Sequence, residues 1–262
     1  VTGVQTCALP IFDHFLDRVG ARGALGTEKP WLAWQALLDR AADGAVRPTP
    51  RPAPCPPLAA RPRQLSVTEI ETWMRDPYAL YARRILRLQS PDPIDQNPDA
   101  ADRGSIIHRA LDQFLKEFPD LLPDEETAYA RLIEIGRAAF GATLARPGVR
   151  AFWWPRFERV ARWFVRAEAE RRTAVRPLIT EAEGSLVIDA PYKPFTLTAR
   201  ADRIDADRAD GSLVFSDYKT GAPPSATEVA EGFAPQLPLE AAMAARGGFK
   251  GVPAQAASAL LY

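Results

Sequence analysis

Two segments near the C-terminal end of the chain decide the fold: Ala201-Asp202-Arg203-Ile204-Asp205 and Phe215-Ser216-Asp217-Tyr218-Lys219. Between them, Ala206–Gly211 is polar and ends in glycine, which predicts the turn of a hairpin. In the second segment Asp217 and Lys219 share strand parity, so their side chains leave the same face. Because a carboxylate and an ammonium are costly to desolvate at the end of an apolar strand, the pair indicates a functional site.

Asp202 and Asp217 come from neighbouring predicted strands and supply two oxygen ligands of the kind that Mg²⁺ prefers. Lys219 would lie beside the ion, an arrangement suited to metal-assisted hydrolysis of a phosphodiester. A surface salt bridge is the ordinary alternative, because Asp-x-Lys occurs by chance and an exposed ion pair explains it. The hairpin before the pair and Thr220-Gly221 directly after it favour the site.

A helix with a histidine at the border of its apolar stripe is predicted from Arg103 onward. The stripe consists of Ile107, Ala110, Leu111, Phe114, Leu115 and Phe118. Gly104 lies one turn before His108 on the same side and permits close backbone approach. The imidazole could bind a metal or a phosphate, although a half-buried structural histidine is the more ordinary interpretation.

Together with Gln236, these residues resemble the RecB-type branch of the PD-(D/E)XK nucleases. Within that branch the chain most resembles the C-terminal nuclease domain of AddB, through Leu65–Glu71, Asp76-Pro77-Tyr78 and Pro235–Glu240. The resemblance covers Leu65–Tyr262. It implies an α/β fold with a restriction-endonuclease-like core, in which helices flank a small mixed β-sheet, and a helical N-terminal subregion.

The resemblance also implies a metal site. Asp202, Asp217 and His108 would be ligands of Mg²⁺, or of Mn²⁺ in its place, and the backbone carbonyl of Tyr218 would complete the coordination. No iron–sulfur cluster is expected. Such clusters need several cysteine thiolates, whereas this chain has 2 cysteines and Asp76 stands where many AddB proteins have one.

The resemblance further implies two catalytic side chains beside the metal. Lys219 would orient or deprotonate the attacking water, and Gln236 would contact the active site from a helix that follows the strands. The family often has a tyrosine four residues after this glutamine, whereas this chain has Glu240, so the contribution of that helix is open.

The expected function is that of a metal-dependent DNA exonuclease domain of an AddAB-type helicase–nuclease, which processes double-strand breaks for recombinational repair. Its partners would be DNA ends, single strands and an AddA-type subunit. Two alternatives remain, a catalytically silent DNA-end-binding scaffold and a Cas4-like nuclease. The scaffold has no reason to keep the site residues together, and the missing cysteines count against the Cas4-like nuclease.

Composition divides the chain into four parts. Residues 1–11 resemble a translated sequencing adapter and are excluded from the fold. Residues 12–46 are expected to be the helical end of a preceding helicase-like region, and 47–64 a Pro-rich linker. The nuclease domain would cover 65–262 and be truncated at its C-terminus. The few cysteines favour the cytoplasm, and no apolar run approaches the roughly 20 residues that span a bilayer.

Lysine and arginine number 33 and so do aspartate and glutamate, which excludes a global basic field. One predicted helix nevertheless carries Trp163 near four arginines, Arg156, Arg159, Arg162 and Arg166. Arginine with an exposed aromatic suits single-stranded nucleic acid, although a solvated helix face is the more ordinary interpretation.

Four strands are predicted, at Ser185–Asp189, Phe195–Asp205, Leu213–Thr220 and Ala257–Tyr262. Glu181 and Glu183 precede the first of these strands. They could add a carboxylate near the site, but solvent-facing charge is the more ordinary interpretation for both.

Overall fold

The computed structural model describes residues 53–89, 91 and 98–262. Two compact units divide the chain, Val1–Cys55 and Pro56–Tyr262, and almost all described residues belong to the second. The predictions for residues 1–11 and 12–46, and for the first part of the Pro-rich linker, lie outside the described residues.

Each α-helix of the described region begins after a polar cap or has a proline just before or within its first turn. A capping box precedes the first helix. The Ser66 hydroxyl accepts a hydrogen bond from the Glu69 amide, and the Glu69 carboxylate accepts one from the Ser66 amide. The α-helices are α1 (Val67–Arg75), α2 (Pro77–Arg84), α3 (Ala100–Glu117), α4 (Glu125–Phe140), α5 (Trp154–Ala174), α6 (Ala226–Ala230) and α7 (Gln236–Ala244). Short 3₁₀ segments at Leu58–Ala60 and Gly141–Ala145, and a π-helical turn at Val149–Trp153, complete the helical structure.

One mixed sheet contains all the described strands. They are β1 (Gln64–Ser66), β2 (Val175–Ile188), β3 (Phe195–Asp207), β4 (Leu213–Ser216) and β5 (Ala257–Leu261). The long β3 is central, and β2 pairs with it antiparallel along its whole length. On its other edge β3 pairs first with β1, in parallel, and then with β4, antiparallel. Strand β5 extends the sheet in parallel beside β4.

Two apolar cores hold this architecture together. One lies among α3, α4 and α5, where Phe114, Leu132 and Phe157 are fully buried. The other packs α7 against the sheet and includes Phe215 and Leu237, which are equally buried. The small mixed sheet flanked by helices confirms the predicted α/β class.

Two predicted strand boundaries are wrong. The first strand begins at Val175 rather than at Ser185, and its register shifts between Pro177 and Ile179. The predicted strand Leu213–Thr220 ends at Ser216, because the Tyr218 amide donates to the Asp202 side chain instead of to a neighbouring strand. In residues 53–89, 91 and 98–262, no helix is both long and apolar enough to cross a membrane.

Candidate active site

The two motif carboxylates come together where β4 ends beside the middle of β3. The last paired residues of these strands are Arg203 and Ser216, so Asp202 and Asp217 occupy the next position on each side. The backbone amide of Asp217 donates to the Leu261 carbonyl of β5 at 2.9 Å. The Tyr218 amide donates to the Asp202 carboxylate, also at 2.9 Å. Backbone hydrogen bonds therefore fix both carboxylates at the point where β3 and β4 stop pairing.

His108 reaches this point from α3. Its Nδ1 lies 3.4 Å from Oδ2 of Asp202, and its side chain is about a quarter exposed. The hydrogen bond with Asp202 raises the pKa of His108, with a smaller contribution from its bond to the Tyr218 backbone. Burial acts to raise the pKa of Asp202, but the bond to His108 holds it below its usual range. The predicted contact between α3 and the carboxylates is thus present as a hydrogen-bonded pair.

Gly104 allows α3 to lie this close. A methyl group added at Gly104 would lie 3.4 Å from the Thr220 hydroxyl oxygen, at the near limit of ordinary van der Waals contact. The glycine therefore places the helix against the segment that follows β4, one turn before His108.

Glu181 lies at the site, which was the less ordinary of the two interpretations of this residue. It lies inside β2 between residues paired with Arg203 and Ala201, and hence across from Asp202. One possible ligand atom each from His108, Glu181 and Asp202 lies within 4.8 Å of the other two. Glu181 also pairs with Arg200 at 2.6 Å and has φ of 50°. The expectation of a solvent-facing charge is therefore wrong for Glu181, whereas Glu183 is exposed as expected.

The second half of the site is a triad of Asp217, Lys219 and Gln236, joined by one ion pair and two hydrogen bonds. The Lys219 ammonium lies 2.5 Å from Asp217 Oδ2 and 3.3 Å from the Gln236 amide oxygen. The amide nitrogen of Gln236 donates to Asp217 Oδ1 at 3.2 Å. Burial raises the pKa of Asp217, and the neighbouring Asp202 charge acts in the same direction. Gln236 thus holds the acid and the amine in fixed relative positions.

Glu240 lies beneath this triad, one turn further along α7. It is 0% exposed. One carboxyl oxygen lies 3.4 Å from the Gln236 amide nitrogen, and the other has no hydrogen-bond partner among the described residues. Burial raises the pKa of Glu240 to about 8. The side chain is therefore neutral near pH 7 and can hold Gln236 without adding a charge to the site.

A buried ion network supports the site from the opposite side of β3. Arg203 is fully buried and donates to Glu168 of α5 at 2.5 and 3.0 Å, and to Asp205 at 2.7 Å. It also donates to the Tyr218 hydroxyl at 3.2 Å. Arg171 of α5 donates to Asp205 at 2.6 Å. These contacts give a structural role to Arg203 and Asp205, which the sequence analysis left without one.

The donor set fits a divalent cation with oxygen-rich coordination. Two carboxylates, from Glu181 and Asp202, meet one imidazole. Asp217 lies near Asp202 but outside this group, in an ion pair with Lys219. The excess of negative charge favours a bound cation. His108, Glu181 and Asp202 form the tightest part of the set. The Tyr218 backbone also reaches the site, through its bond to His108. All residues predicted for the site thus lie in one cluster.

Comparison with known proteins agrees with this geometry. Residues 64–262 match the model of the PD-(D/E)XK nuclease superfamily. An uncharacterized protein of Rickettsia bellii is 31% identical over 189 residues, which is 72% of this chain and 22% of that protein. An uncharacterized protein of Rickettsia felis is 32% identical over 193 residues, again 72% of this chain and 22% of its own length. The chain thus spans less than a quarter of the relatives it matches. Since the family model covers most of its length, the chain belongs to the PD-(D/E)XK nuclease superfamily.

Proposed function

We propose that this domain is a Mg²⁺-dependent DNA exonuclease of an AddAB-type helicase–nuclease, and that it hydrolyses single strands released by unwinding during repair of double-strand breaks. The observation that carries the proposal is the contact of Asp217 and Lys219 at 2.5 Å, beside Asp202, where β3 and β4 stop pairing. The AddA-type partner rests on the resemblance of Leu65–Glu71 and Pro235–Glu240 to AddB.

His108, Asp202 and Asp217, with Glu181 beside them, are the residues that would hold the metal. When bound, a divalent cation would stabilise the negative charge that develops on the phosphate during hydrolysis. To hold the cation in one position, the carboxylate ligands must themselves be fixed. The Tyr218 amide fixes Asp202 and the Gln236 amide fixes Asp217.

Lys219 adds a positive charge to the site that comes from the protein and not from the metal ion. Its side chain is 36% exposed, so the ammonium can reach both substrate and water. It would orient the attacking water and stabilise the charge of the transition state, a role for which preorganised groups are effective. Gln236 keeps Lys219 in place through the hydrogen bond that its amide oxygen accepts.

Linear and circular single strands of the same sequence distinguish an exonuclease from an endonuclease. With Mg²⁺, the chain should degrade the linear strand and leave the circle intact. Cleavage of both at equal rates would contradict the exonuclease assignment. Binding of DNA ends with no hydrolysis of either substrate would favour the scaffold alternative. Co-expression with an AddA-type subunit should yield a stable heterodimer, and failure to co-purify would remove the partner from the proposal.

A further inference from the structure

A groove leads into the candidate active site between α3 and α5, with a volume of about 390 Å³. Helix α3 contributes Arg103 to it, and α5 contributes Arg156 and Trp163. Asp217 and Lys219 lie in the same groove. A ligand in the groove would therefore touch the residues assigned to hydrolysis.

Trp163 is the most unusual residue of this groove. Its large apolar side chain is 65% exposed, although Phe164 next to it is buried in the helical core. The groove side of α5 also carries Val160, at helical spacing from Trp163. An indole beside an apolar wall gives a base a flat surface on which to stack.

Three arginines of α5, Arg156, Arg162 and Arg166, differ in whether an acidic side chain pairs with them. Arg162 bonds with Glu126, and Arg166 with Glu125 at 2.6 Å, so these two face the acidic start of α4. Arg156 forms no ion pair with any part of the chain that the structure describes. A solvated helix face, the more ordinary interpretation, therefore fits Arg162 and Arg166. The charge of Arg156 is available to bind a ligand.

A second groove also has Lys219 in its lining, but acidic side chains there offset the positive charge of arginine. Its lining includes Arg75, but Glu228 pairs with this arginine at 3.2 Å and Glu71 lies 3.4 Å from it. Because the arginine there is neutralised, this groove offers little attraction to phosphates. The balance of charge therefore favours the groove of Trp163 as the path of a polyanion.

We infer that one single strand of DNA lies in the groove between α3 and α5, with a base stacked on Trp163 and a neighbouring phosphate bound by Arg156. A base paired within a duplex has both faces covered by its neighbours, so stacking on an indole requires an unpaired strand. The inference rests on the proposed function, since it names the strand that the active site would cut. It adds a binding position outside the hydrolytic residues.

The test is fluorescence anisotropy with a labelled 12-nucleotide single strand, in a chelator so that no cleavage occurs. Trp163→Ala should weaken binding about 10-fold, since one stacked base contributes on the order of a 10-fold or larger effect. Trp73 of α1 is 51% exposed and lies outside the groove, so Trp73→Ala is the matched control and should change binding less than 2-fold. Circular dichroism confirms that both variants fold.

An abasic strand of the same length separates stacking from phosphate contact. Trp163→Ala should leave affinity for the abasic strand unchanged. Arg156→Ala should weaken binding of both strands equally and lower the slope of log Kd against log salt by about 0.7. Arg159, which is exposed on α5 but does not line the groove, is the control for Arg156.

Wild-type affinity in Trp163→Ala, or an equal loss for the base-bearing and abasic strands, would overturn the inference. Preference for a duplex of the same length would also contradict it. The two proposals can fail separately. Trp163-dependent binding without Mg²⁺-dependent hydrolysis would remove only the nuclease proposal, and hydrolysis that does not depend on Trp163 would remove only the groove.

Discussion

The backbone amide of Tyr218 donates a hydrogen bond to the carboxylate of Asp202, 2.9 Å away, where β3 and β4 stop pairing. The bond takes the place of the next rung in the strand ladder and places Asp217 opposite Asp202. The Tyr218–Asp202 hydrogen bond therefore both ends β4 and sets the relative positions of the two carboxylates.

Lys219 should contribute to rate rather than to metal binding. In Lys219→Ala the carboxylates remain, so Mg²⁺ affinity measured by calorimetry should be largely unchanged. The rate of hydrolysis should fall about 10²-fold or more, as it does when a preorganised charge is removed from a transition state. Lys250→Ala, an exposed lysine outside the site, is the control. An equal loss of rate in both variants would show that Lys219 acts only through the net charge of the protein and not through its position in the site.

Glu240 should make the metal-free protein less stable as pH rises. Its pKa is raised from 4.5 in the unfolded chain to about 8 in the folded one. The stabilisation is therefore complete below pH 4.5 and is lost as pH rises through about 8. Between these values Glu240 should lower the free energy of unfolding by about 1.4 kcal/mol per pH unit. Urea denaturation in a chelator at several pH values measures this slope.

Glu240→Gln removes the titration and keeps the shape of the side chain. The difference in unfolding free energy between this variant and wild type should therefore grow steadily from pH 5 to pH 8. The exposed Glu183→Gln provides the control. Parallel curves for wild type and Glu240→Gln would mean that Glu240 is charged in the folded protein.

The network around Arg203 should be important for stability. Glu168→Gln removes a carboxylate from two buried arginines, Arg203 and Arg172. Because it leaves buried charge poorly compensated, this change should cost about 3 kcal/mol or more. Glu126→Gln breaks a surface pair with Arg162 and should cost less than about 1 kcal/mol. Similar losses in the two variants, measured by chemical denaturation, would show that the network is not a major source of stability.

Asp76 caps the N-terminus of α2, a role that a cysteine ligand of an iron–sulfur cluster would not have. Its carboxylate accepts hydrogen bonds from the Tyr78 and Ala79 amides, both at 3.1 Å, at the start of α2. Asp76→Ala should therefore destabilise the fold by about 1 kcal/mol, as the loss of an N-cap does. Purified wild-type protein should contain no stoichiometric iron or acid-labile sulfide. Finding both would contradict the cluster-free assignment.

The sequence predicted the elements whose signals are local. The helix around His108 has a regular apolar stripe, and the hairpin before Asp217 has a clear turn. It did not predict the first half of β2, because Pro177 and Gly184 usually disfavour a strand interior. The register shift after Pro177 accommodates the proline. Since the strand was predicted to begin only at Ser185, Glu181 was placed before it, where a solvent-facing charge was the more ordinary interpretation.

The partners of buried charges could not be predicted either. Arg203 and Glu168 are separated by 35 residues and lie on different elements, and no periodicity relates a strand to a helix at that distance. The role of Glu240 needed the structure as well, since only its burial beside Gln236 distinguishes it from an exposed helix residue.

Hydrolysis of a labelled linear single strand by wild type and by Asp217→Ala, with and without Mg²⁺, tests the central claim most directly. We expect Mg²⁺-dependent cleavage by wild type and no cleavage above background by Asp217→Ala, with the fold of both proteins intact by circular dichroism. Binding of the strand in a chelator should be similar in the two proteins, since phosphate contacts lie on other residues. Equal cleavage by wild type and Asp217→Ala would contradict the assignment of the active site to Asp217 and its neighbours, because the catalytic groups would then lie elsewhere.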